Sequence, residues 1–399
     1  MGGDQITVTF TTWLYGLFLA GAVLFYWLLP LSWRNYFLLA ASGVFLAYSF
    51  PLHVFLLLVV STMVFLAAAN VENRRFLLAL TILFVVGILA YYKYQALLAD
   101  LSHKLAAWLP GIPAFKVPQL VVPLGISFFT FKLLHYLIES YRGDRPQGSY
   151  RQFLLYIFFF PILPSGPIER WPNFLGQNRE LRGFRWKYLT EGLQRVLTGL
   201  FKKLVFADIA AIYAANLHSA GLGSKAYWIA AYAYTIQIYF DFSGYSDIAI
   251  GSARLFGYKI MENFNNPYFK RNISLFWKNW HISLTSWFTE YIFIPLGGSR
   301  ASFGRVVLNT MVVMAVTGLW HGAALHFMVW GLYHGVGLIV LRIYNKSVGS
   351  KLPANWRDSR TLTVASTLLT FHFVVIGWIF FAADFSQSMY VIKKMFFLA

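Results

Sequence analysis

The sequence predicts an all-α membrane protein with roughly ten or eleven transmembrane or re-entrant helices. Of its 399 residues, 58% are hydrophobic and only 12% are charged, about half the charged fraction of an ordinary soluble domain. Charge-free apolar runs agree with this average, because residues 12–29, 35–70 and 76–92 can each cross a bilayer at least once. Proline-interrupted apolar segments in the middle of the chain predict broken or re-entrant helices packed inside the protein, since irregular backbone cannot face lipid.

The N-terminal third, residues 1–119, is predicted to consist of ordinary spans. The first apolar run is predicted to be a retained helix rather than a cleaved signal, because no basic segment precedes it and more spans follow. Arg74 and Arg75 close the third run and favour a cytoplasmic position there. Residues 93–119 carry charges and prolines and are predicted to form a loop. The four predicted spans are residues 12–29, 35–50, 52–70 and 76–92.

Residues 120–382 have a less regular pattern. Two short apolar segments broken by prolines come first, and an amphipathic stretch with several cations is predicted to lie partly at the membrane interface. Neither an internal repeat nor a soluble domain is evident, so residues 1–399 are predicted to form one membrane domain. The segments are residues 120–139, 153–163, 186–216, 227–249, 306–319, 323–341 and 361–382.

The charge balance indicates an anionic membrane surface as a partner rather than nucleic acid. The chain has 33 lysines and arginines against 15 acidic residues, and the cations stand between apolar runs. This placement is typical of cytoplasmic loops beside anionic headgroups. The chain has no cysteine, which excludes disulfides, thiolate zinc sites, iron–sulfur clusters and an acyl-cysteine intermediate.

Three histidines are candidate functional groups. His321 lies between two apolar runs in Gly-Leu-Trp-His-Gly, His334 follows in the next apolar run, and His281 lies in Trp-Lys-Asn-Trp-His. An imidazole at membrane depth is costly and therefore suggests a function, and its ordinary pKa suits removal of a proton from a hydroxyl. The alternative for each histidine is a packing role, with the imidazole bonded to a neighbouring carbonyl.

His281 is predicted to lie on a helix. At helical spacing Trp277, Trp280 and Leu284 share a face with His281. Metal binding is not expected, since the histidines form no tight pair and no His-Glu-x-x-His motif occurs. A phosphate-binding loop and a Gly-x-Ser-x-Gly turn are also missing from the sequence, so nucleotide hydrolysis and serine-hydrolase chemistry have no support.

Acidic residues in apolar surroundings form a second group. Asp241 and Asp247 lie in or beside a predicted span, where a carboxylate normally pairs with a cation or an imidazole. Two roles stay open for them: orienting a histidine, or anchoring a cation such as Arg254. Glu169 and Arg170 are interpreted as a buried or interfacial ion pair.

Several blocks of the sequence resemble the membrane-bound O-acyltransferase family and, within it, the bacterial alginate O-acetyltransferase branch. Among them are Asn-Phe-Asn-Asn-Pro-Tyr at residues 263–268 and the two histidine segments. The blocks follow the family order from residue 122 to residue 382. They are residues 122–131, 160–168, 239–247, 263–298, 318–322 and 371–381.

The resemblance implies a many-helix fold around a central tunnel. His321 corresponds to the catalytic histidine of the family and His281 to its second histidine. The family's donor is an acyl thioester, here acetyl-CoA or a carrier-bound pantetheine, which arrives from the cytoplasmic side as a substrate; no permanently bound cofactor is expected. Further candidates for lining the tunnel are Trp280, Trp320, Asn279, Asp241, Asp247 and His334.

The resemblance also implies a location in the bacterial cytoplasmic membrane and partner proteins that complete acetylation in the periplasm; an acyl-carrier protein is a further candidate partner. The chain departs from the family pattern at Thr289 and Glu290, where members often carry Arg-Asp. It also stops at Ala399, whereas alginate-type members continue for further helices.

The residues and the resemblance together predict an O-acyltransferase in which His321 is a general base and His281 positions the acceptor or stabilises the oxyanion. Without cysteine, direct transfer is favoured over a thioester on the enzyme. The predicted reaction is acetylation of a hydroxyl destined for a cell-surface polysaccharide. Two alternatives are D-alanyl transfer to teichoic acid from a carrier protein, and a non-catalytic transporter or flippase of surface polymer.

Overall fold

The computed structural model describes residues 10–49, 51–109, 113, 118, 120–144, 147–181, 183–351, 353 and 359–397. In these residues the regular structure is helical, and one isolated β-bridge joins Phe264 and Trp280. This confirms the predicted all-α class. The chain divides into two compact units. The first holds residues up to Leu200 together with Tyr245–Met261, and the second holds Phe201–Gly244 and the chain from Glu262 onward.

Five helices in the described residues are long and apolar enough to cross a membrane. Each has 18 to 23 residues, which at 1.5 Å per residue matches a hydrocarbon layer about 30 Å thick. Trp13–Leu28 is a shorter apolar helix. The predicted membrane class is therefore supported, whereas the total of ten or eleven helices is not confirmed. The five are Pro51–Ala68, Arg75–Lys93, Phe303–His321, Leu325–Ser347 and Arg360–Ala382.

The first unit begins with four consecutive apolar helices, close to the four predicted spans. Its helices are α1 Trp13–Leu28, α2 Leu31–Ser49, α3 Pro51–Ala68, α4 Arg75–Lys93, α5 Gln95–Trp108, α6 Ile126–Arg142, α7 Tyr150–Phe158, α8 Trp171–Glu180 and α9 Trp186–Phe201. Side-chain caps fix some of their starts. The Thr12 hydroxyl accepts from the Tyr15 amide at α1, and Ser149 with Gln152 forms a capping box at α7.

The loop predicted for residues 93–119 is partly wrong, because residues 95–108 form α5. This stretch is rich in leucine and alanine, which favour helix, and Asp100 pairs with Lys104 one turn later at 2.7 Å. The prolines that suggested a loop all follow the helix.

The proline-broken segment behaves as predicted. Helix α7 ends at Phe158, and the irregular chain that follows it is buried, including Phe160 and Ile168. Glu169 is buried in the same segment; its carboxylate accepts from the backbone amides of Arg170 at 2.7 Å and Met261 at 3.1 Å. The carboxylate therefore satisfies irregular backbone inside the protein.

The second unit contains the segments with the candidate histidines. A π-helical turn at Lys202–Ala207 precedes α10, and another at Thr289–Phe293 follows α13. Helix α11 starts in this unit and ends in the 245–261 part of the first. The helices are α10 Asp208–Ala214, α11 Ser224–Leu255, α12 Ile273–Asn279, α13 Ile282–Phe288, α14 Phe303–His321, α15 Leu325–Ser347, α16 Arg360–Ala382 and α17 Phe385–Met395.

Helices α14 and α15 form a closely packed antiparallel pair. A Cβ atom added to Gly318 would lie 2.3 Å from the carbonyl oxygen of Phe327. A Cβ atom added to Gly331 would lie 2.2 Å from the carbonyl oxygen of Met314. Both distances are too short for any side chain, so glycine at these positions allows the two backbones to approach.

Gly331→Ala is expected to lower the free energy of unfolding by about 1–3 kcal/mol, because the added methyl group forces α14 and α15 apart. The change is measured as a lower unfolding temperature of the purified protein in detergent. Gly87→Ala is the matched control, because a Cβ atom added to Gly87 on α4 would have no neighbouring atom within 4 Å. An unfolding temperature of Gly331→Ala equal to that of the wild type would contradict the close approach.

Candidate active site

His281 lies at a break between two short helices and not on a continuous helix. Trp280 ends α12 in an extended conformation, and His281 has a φ of 44° and a ψ of 55°, in the left-handed region. The expectation that Trp277 and Leu284 share one helical face with His281 is therefore wrong. A non-glycine residue in this conformation is strained, and such strain persists only where the surroundings hold it.

The segment 263–265 holds this break in place. Asn263 is fully buried, and its side-chain oxygen accepts from the Ser283 hydroxyl at 2.7 Å and the Ser283 amide at 3.3 Å. The backbone adds two bonds: Asn265 donates to the Asn279 carbonyl at 3.0 Å, and Ile282 donates to the Asn263 carbonyl at 2.9 Å. The polar backbone around His281 is thus satisfied inside the protein.

His321 is the last residue of α14 and is half-buried. Gly322 follows it in an extended conformation, and a Cβ atom there would lie 2.6 Å from the Phe327 ring. The imidazole packs against three further rings: Phe381 with centroids 4.9 Å apart, Trp330 at 5.1 Å and Phe327 at 6.2 Å. Apolar aromatic surroundings of this kind limit the access of water to the imidazole.

Trp320 contacts both candidate histidines. Its ring centroid lies 4.7 Å from that of His321 and 6.1 Å from that of His281. Phe242 packs edge-on against His281 from α11, with centroids 4.6 Å apart. The structure therefore places two of the three candidate histidines, His281 and His321, against one tryptophan, although they lie 40 positions apart in the sequence (321 − 281).

Trp280 and Asn279 make contacts of the kind that stabilise the fold. Trp280 is buried in an aromatic cluster, stacked on Phe276 at 5.6 Å and 4.9 Å from Trp378. The Asn279 amide group donates to the Leu275 carbonyl at 2.8 Å. Their predicted role in lining a tunnel stays a prediction.

His334 is completely buried in the same aromatic region. Its ring lies 5.1 Å from Trp277 and 5.2 Å from Trp330, and Trp330 also contacts His321. Within the part of the chain that the structure describes, neither ring nitrogen of His334 has a hydrogen-bond partner. The alternative role for His334, packing with its imidazole bonded to a neighbouring carbonyl, therefore has no supporting hydrogen bond among the described residues. Its predicted role in lining a tunnel stays a prediction.

Asp241 and Asp247, the acidic residues predicted to lie in or beside a span, both form ion pairs. Asp241 lies 2.7 Å from the Lys203 ammonium, which also contacts Asp208 at 2.9 Å. In the first unit, Asp247 pairs with Arg195 at 2.7 Å. The suggested partner Arg254 is wrong for both, because the Arg254 guanidinium pairs with Glu191 at 2.8 Å.

A cavity of about 630 Å³ lies in the second unit beside the histidine segments. It follows α14 from Val306 to Thr317, about 16 Å at 1.5 Å per residue. Thr317 stands one helical turn before His321, and Trp277 and Leu284 bring the wall close to His281 along the chain. The cavity is mostly apolar.

Two cations line this cavity, and sequence reasoning missed both. They are Lys278 and Arg342; no acidic side chain is among the described residues that line the cavity. The Arg342 guanidinium donates to the Ser299 carbonyl at 3.3 Å. The position of Arg342 directly after the apolar run 323–341 was the available signal. Asn263 was also missed, although clustered asparagines before Pro267 indicate a turn.

The fold and the site define a class: a multi-pass helical membrane protein with two histidines packed on one tryptophan beside an apolar cavity. The chain matches the membrane-bound O-acyltransferase (MBOAT) family over residues 4–381. It belongs to this family and is a membrane-bound O-acyltransferase, as the sequence blocks predicted. The transporter alternative is thereby set aside.

Three curated relatives illustrate the similarity. A probable alginate O-acetylase, AlgI, of Pseudomonas aeruginosa is 35% identical over 92% of this chain and 70% of its own length. A peptidoglycan O-acetyltransferase of Helicobacter pylori is 33% identical over 81% of this chain and 65% of its own length. A teichoic acid D-alanyltransferase of Bacillus subtilis is 31% identical over 66% of this chain and 69% of its own length.

Asn263→Ala is expected to loosen the break at His281, because the Ser283 hydroxyl and amide lose a buried acceptor worth about 1–3 kcal/mol. Acyl transfer should fall at least tenfold while the protein still folds, with a lower unfolding temperature. Asn265→Ala is the matched control, since Asn265 is exposed and bonds through its backbone. Equal transfer rates for the two variants would contradict a positioning role for Asn263.

Proposed function

We propose that this chain transfers an acetyl group from a thioester donor on the cytoplasmic side to a hydroxyl destined for a cell-surface polysaccharide. The observation that carries the proposal is that His281 and His321 both pack against one residue, Trp320. The names of the alginate and peptidoglycan relatives support acetyl as the group and a polysaccharide as the acceptor class.

In the proposed mechanism His321 acts as the general base. Its imidazole takes the proton from the acceptor hydroxyl while the oxygen attacks the thioester carbonyl. The carbon–sulfur bond of the resulting tetrahedral intermediate then breaks, and the leaving thiolate receives the proton from the imidazolium. His281 stabilises the negative charge on the carbonyl oxygen or positions the acceptor.

Two features favour direct transfer with no acyl-enzyme. The chain has no cysteine, so the acyl group cannot be held as a thioester on the protein. His321 is half-buried among Phe327, Trp330 and Phe381, which limits hydrolysis of the donor by bulk water. The donor is a substrate in this scheme, and the chemistry of the step requires no resident cofactor.

The cavity along α14 suits the donor. Its apolar wall fits the extended arm of a pantetheine thioester, and Lys278 and Arg342 fit the phosphate that such an arm carries in coenzyme A or on a carrier protein. With the arm in the cavity, the thioester would lie toward Thr317 and the phosphate toward Arg342. Acetyl-CoA and a carrier-bound donor share this phosphate, so the cavity suits either one.

The charge distribution supports a cytoplasmic opening of the cavity. The ends of α14 and α15 near the cavity cations also carry Arg300, Arg305 and Lys346, whereas the turn at residues 322–324 carries no charge. Cations concentrate on the cytoplasmic side of bacterial membrane proteins. The proposed location is therefore the cytoplasmic membrane, with the donor entering from inside and partner proteins completing acetylation outside.

A strain lacking this protein is expected to lose O-acetyl groups from a surface polysaccharide, which mass spectrometry of the isolated polymers measures. Wild-type protein should restore them, and His321→Gln should restore less than a hundredth, because general-base catalysis contributes about 10²–10⁴-fold.

His103→Gln is the control for this experiment, since His103 is an exposed residue of α5. It should restore acetylation fully at the same protein level. Loss of D-alanyl esters instead of acetyl groups would overturn the proposed acetyl transfer in favour of the activity named for the Bacillus subtilis relative. Full restoration by His321→Gln would overturn the role of His321.

The double variant Lys278→Gln/Arg342→Gln is expected to raise the KM for the donor about tenfold, equivalent to about 1.4 kcal/mol of lost phosphate binding. The kcat should change little, because neither cation touches the reacting carbonyl. Steady-state kinetics of the purified protein measures both constants. Arg300→Gln is the control, since Arg300 is an exposed cation that does not line the cavity. An unchanged KM in the double variant would contradict the proposed donor route.

A further inference from the structure

A second cavity, of about 290 Å³, lies in the first unit where α2, α7 and α8 meet. In contrast to the cavity along α14, polar side chains dominate its wall. These are two arginines, three carboxamides and two phenols: Arg34, Arg179, Asn35, Gln152, Asn178, Tyr26 and Tyr258. The reaction proposed above does not use this cavity.

Arg34 is held in the wall of this cavity. Only 8% of its surface is exposed, and its guanidinium lies 4.8 Å from the Trp27 ring centroid while Nε donates to the Leu29 carbonyl at 3.1 Å. Arg179 is anchored in turn by a hydrogen bond to the Gln147 carbonyl. The two guanidinium groups are therefore fixed on different helices, α2 and α8, around one space.

The three carboxamides bond mainly to one another. Asn178 accepts from Asn35 at 3.2 Å and from Gln152 at 3.1 Å, and it donates to the Tyr258 hydroxyl at 2.7 Å. This hydrogen-bond network carries no charge. No carboxylate is among the described residues lining this cavity, so its wall offers two positive charges and no negative one. Such a wall favours an anion with several acceptor oxygens.

The position of the cavity indicates the level of the lipid headgroups. Trp33 and Tyr36 stand exposed beside it on the first turns of α2, as aromatic residues do at a membrane interface. Successive spans alternate in direction, so the start of α2 lies on the same side as the end of α3, which Arg74 and Arg75 follow. This is the side that the excess of cations assigns to the cytoplasm, where the leaflet is anionic.

We propose that this cavity binds the phosphate group of an anionic membrane lipid, such as phosphatidylglycerol. Arg34 and Arg179 contact the phosphate oxygens, and the carboxamides contact the polar headgroup. Leu31, exposed at the rim, faces the acyl chains. At about 290 Å³ the cavity suits one headgroup and is at the small end of ligand pockets. Lipid bound here links α2 to α7 and α8.

The test uses the purified full chain in nanodiscs of phosphatidylcholine, with or without phosphatidylglycerol. Phosphatidylglycerol should raise the unfolding temperature of the wild type and remain bound in native mass spectrometry. Arg179→Gln should weaken lipid retention about tenfold, since one charge-assisted contact is lost. Asn35→Asp, which places a negative charge in a wall of nearly unchanged shape, should abolish the temperature shift.

Arg185→Gln is the control, because Arg185 is an exposed cation outside the cavity wall and should behave as the wild type. Each variant must unfold near the wild-type temperature in phosphatidylcholine alone; if Asn35→Asp does not, Arg179→Gln decides. Lipid retention and temperature shifts equal to wild type in both variants would overturn the site. Glycerol phosphate that reproduces the full shift in phosphatidylcholine nanodiscs would assign the cavity to a soluble phosphate ester and overturn the lipid assignment.

Discussion

The break at His281 depends on hydrogen bonds that the protein itself must supply. Lipid offers no partner for irregular backbone, so a left-handed residue between two short helices is stable only where other chain segments bond it. The segment around Asn263 does this through its side chain and its backbone. The same bonds bring the Trp280 ring into the aromatic cluster and set the His281 ring against Phe242 and Trp320. The geometry of the candidate active site therefore depends on one buried asparagine, Asn263.

The second histidine is placed by close packing instead. Gly318 and Gly331 allow α14 and α15 to approach until side chains would collide, and Gly318 stands one turn before the end of α14. His321 is its last residue, and the turn that follows carries no charge. The cavity runs along the same helix toward the end of α15 that carries Arg342. One helix pair thus supplies the proposed base and one of the two proposed donor-binding cations, while α12 supplies the other, Lys278.

Much of this could be predicted from the sequence, because apolar runs and motif residues are local signals. The spans at residues 12–29 and 76–92 match α1 and α4 to within a residue or so. The loop predicted over residues 93–119 was partly wrong, because the prolines after Trp108 do not apply to the helix-forming residues before it. The break at His281 could not be predicted, because it depends on hydrogen bonds to Asn263. The helical spacing of apolar residues within 277–284 carries no information about those distant bonds. The cavity cations were missed for a similar reason: Lys278 and Arg342 come to line one cavity only in the folded unit.

Direct transfer of an acyl group at the proposed histidine pair requires that the protein itself is never acylated. The most direct test is rapid quenching of the purified protein with a labelled acetyl thioester and an acceptor oligosaccharide, followed by intact mass measurement of the protein and of the acceptor. We expect the label to pass to the acceptor hydroxyl at the rate of donor loss, with the protein mass unchanged throughout. A protein that gains the mass of an acetyl group and then loses it at a rate matching product formation would contradict direct transfer.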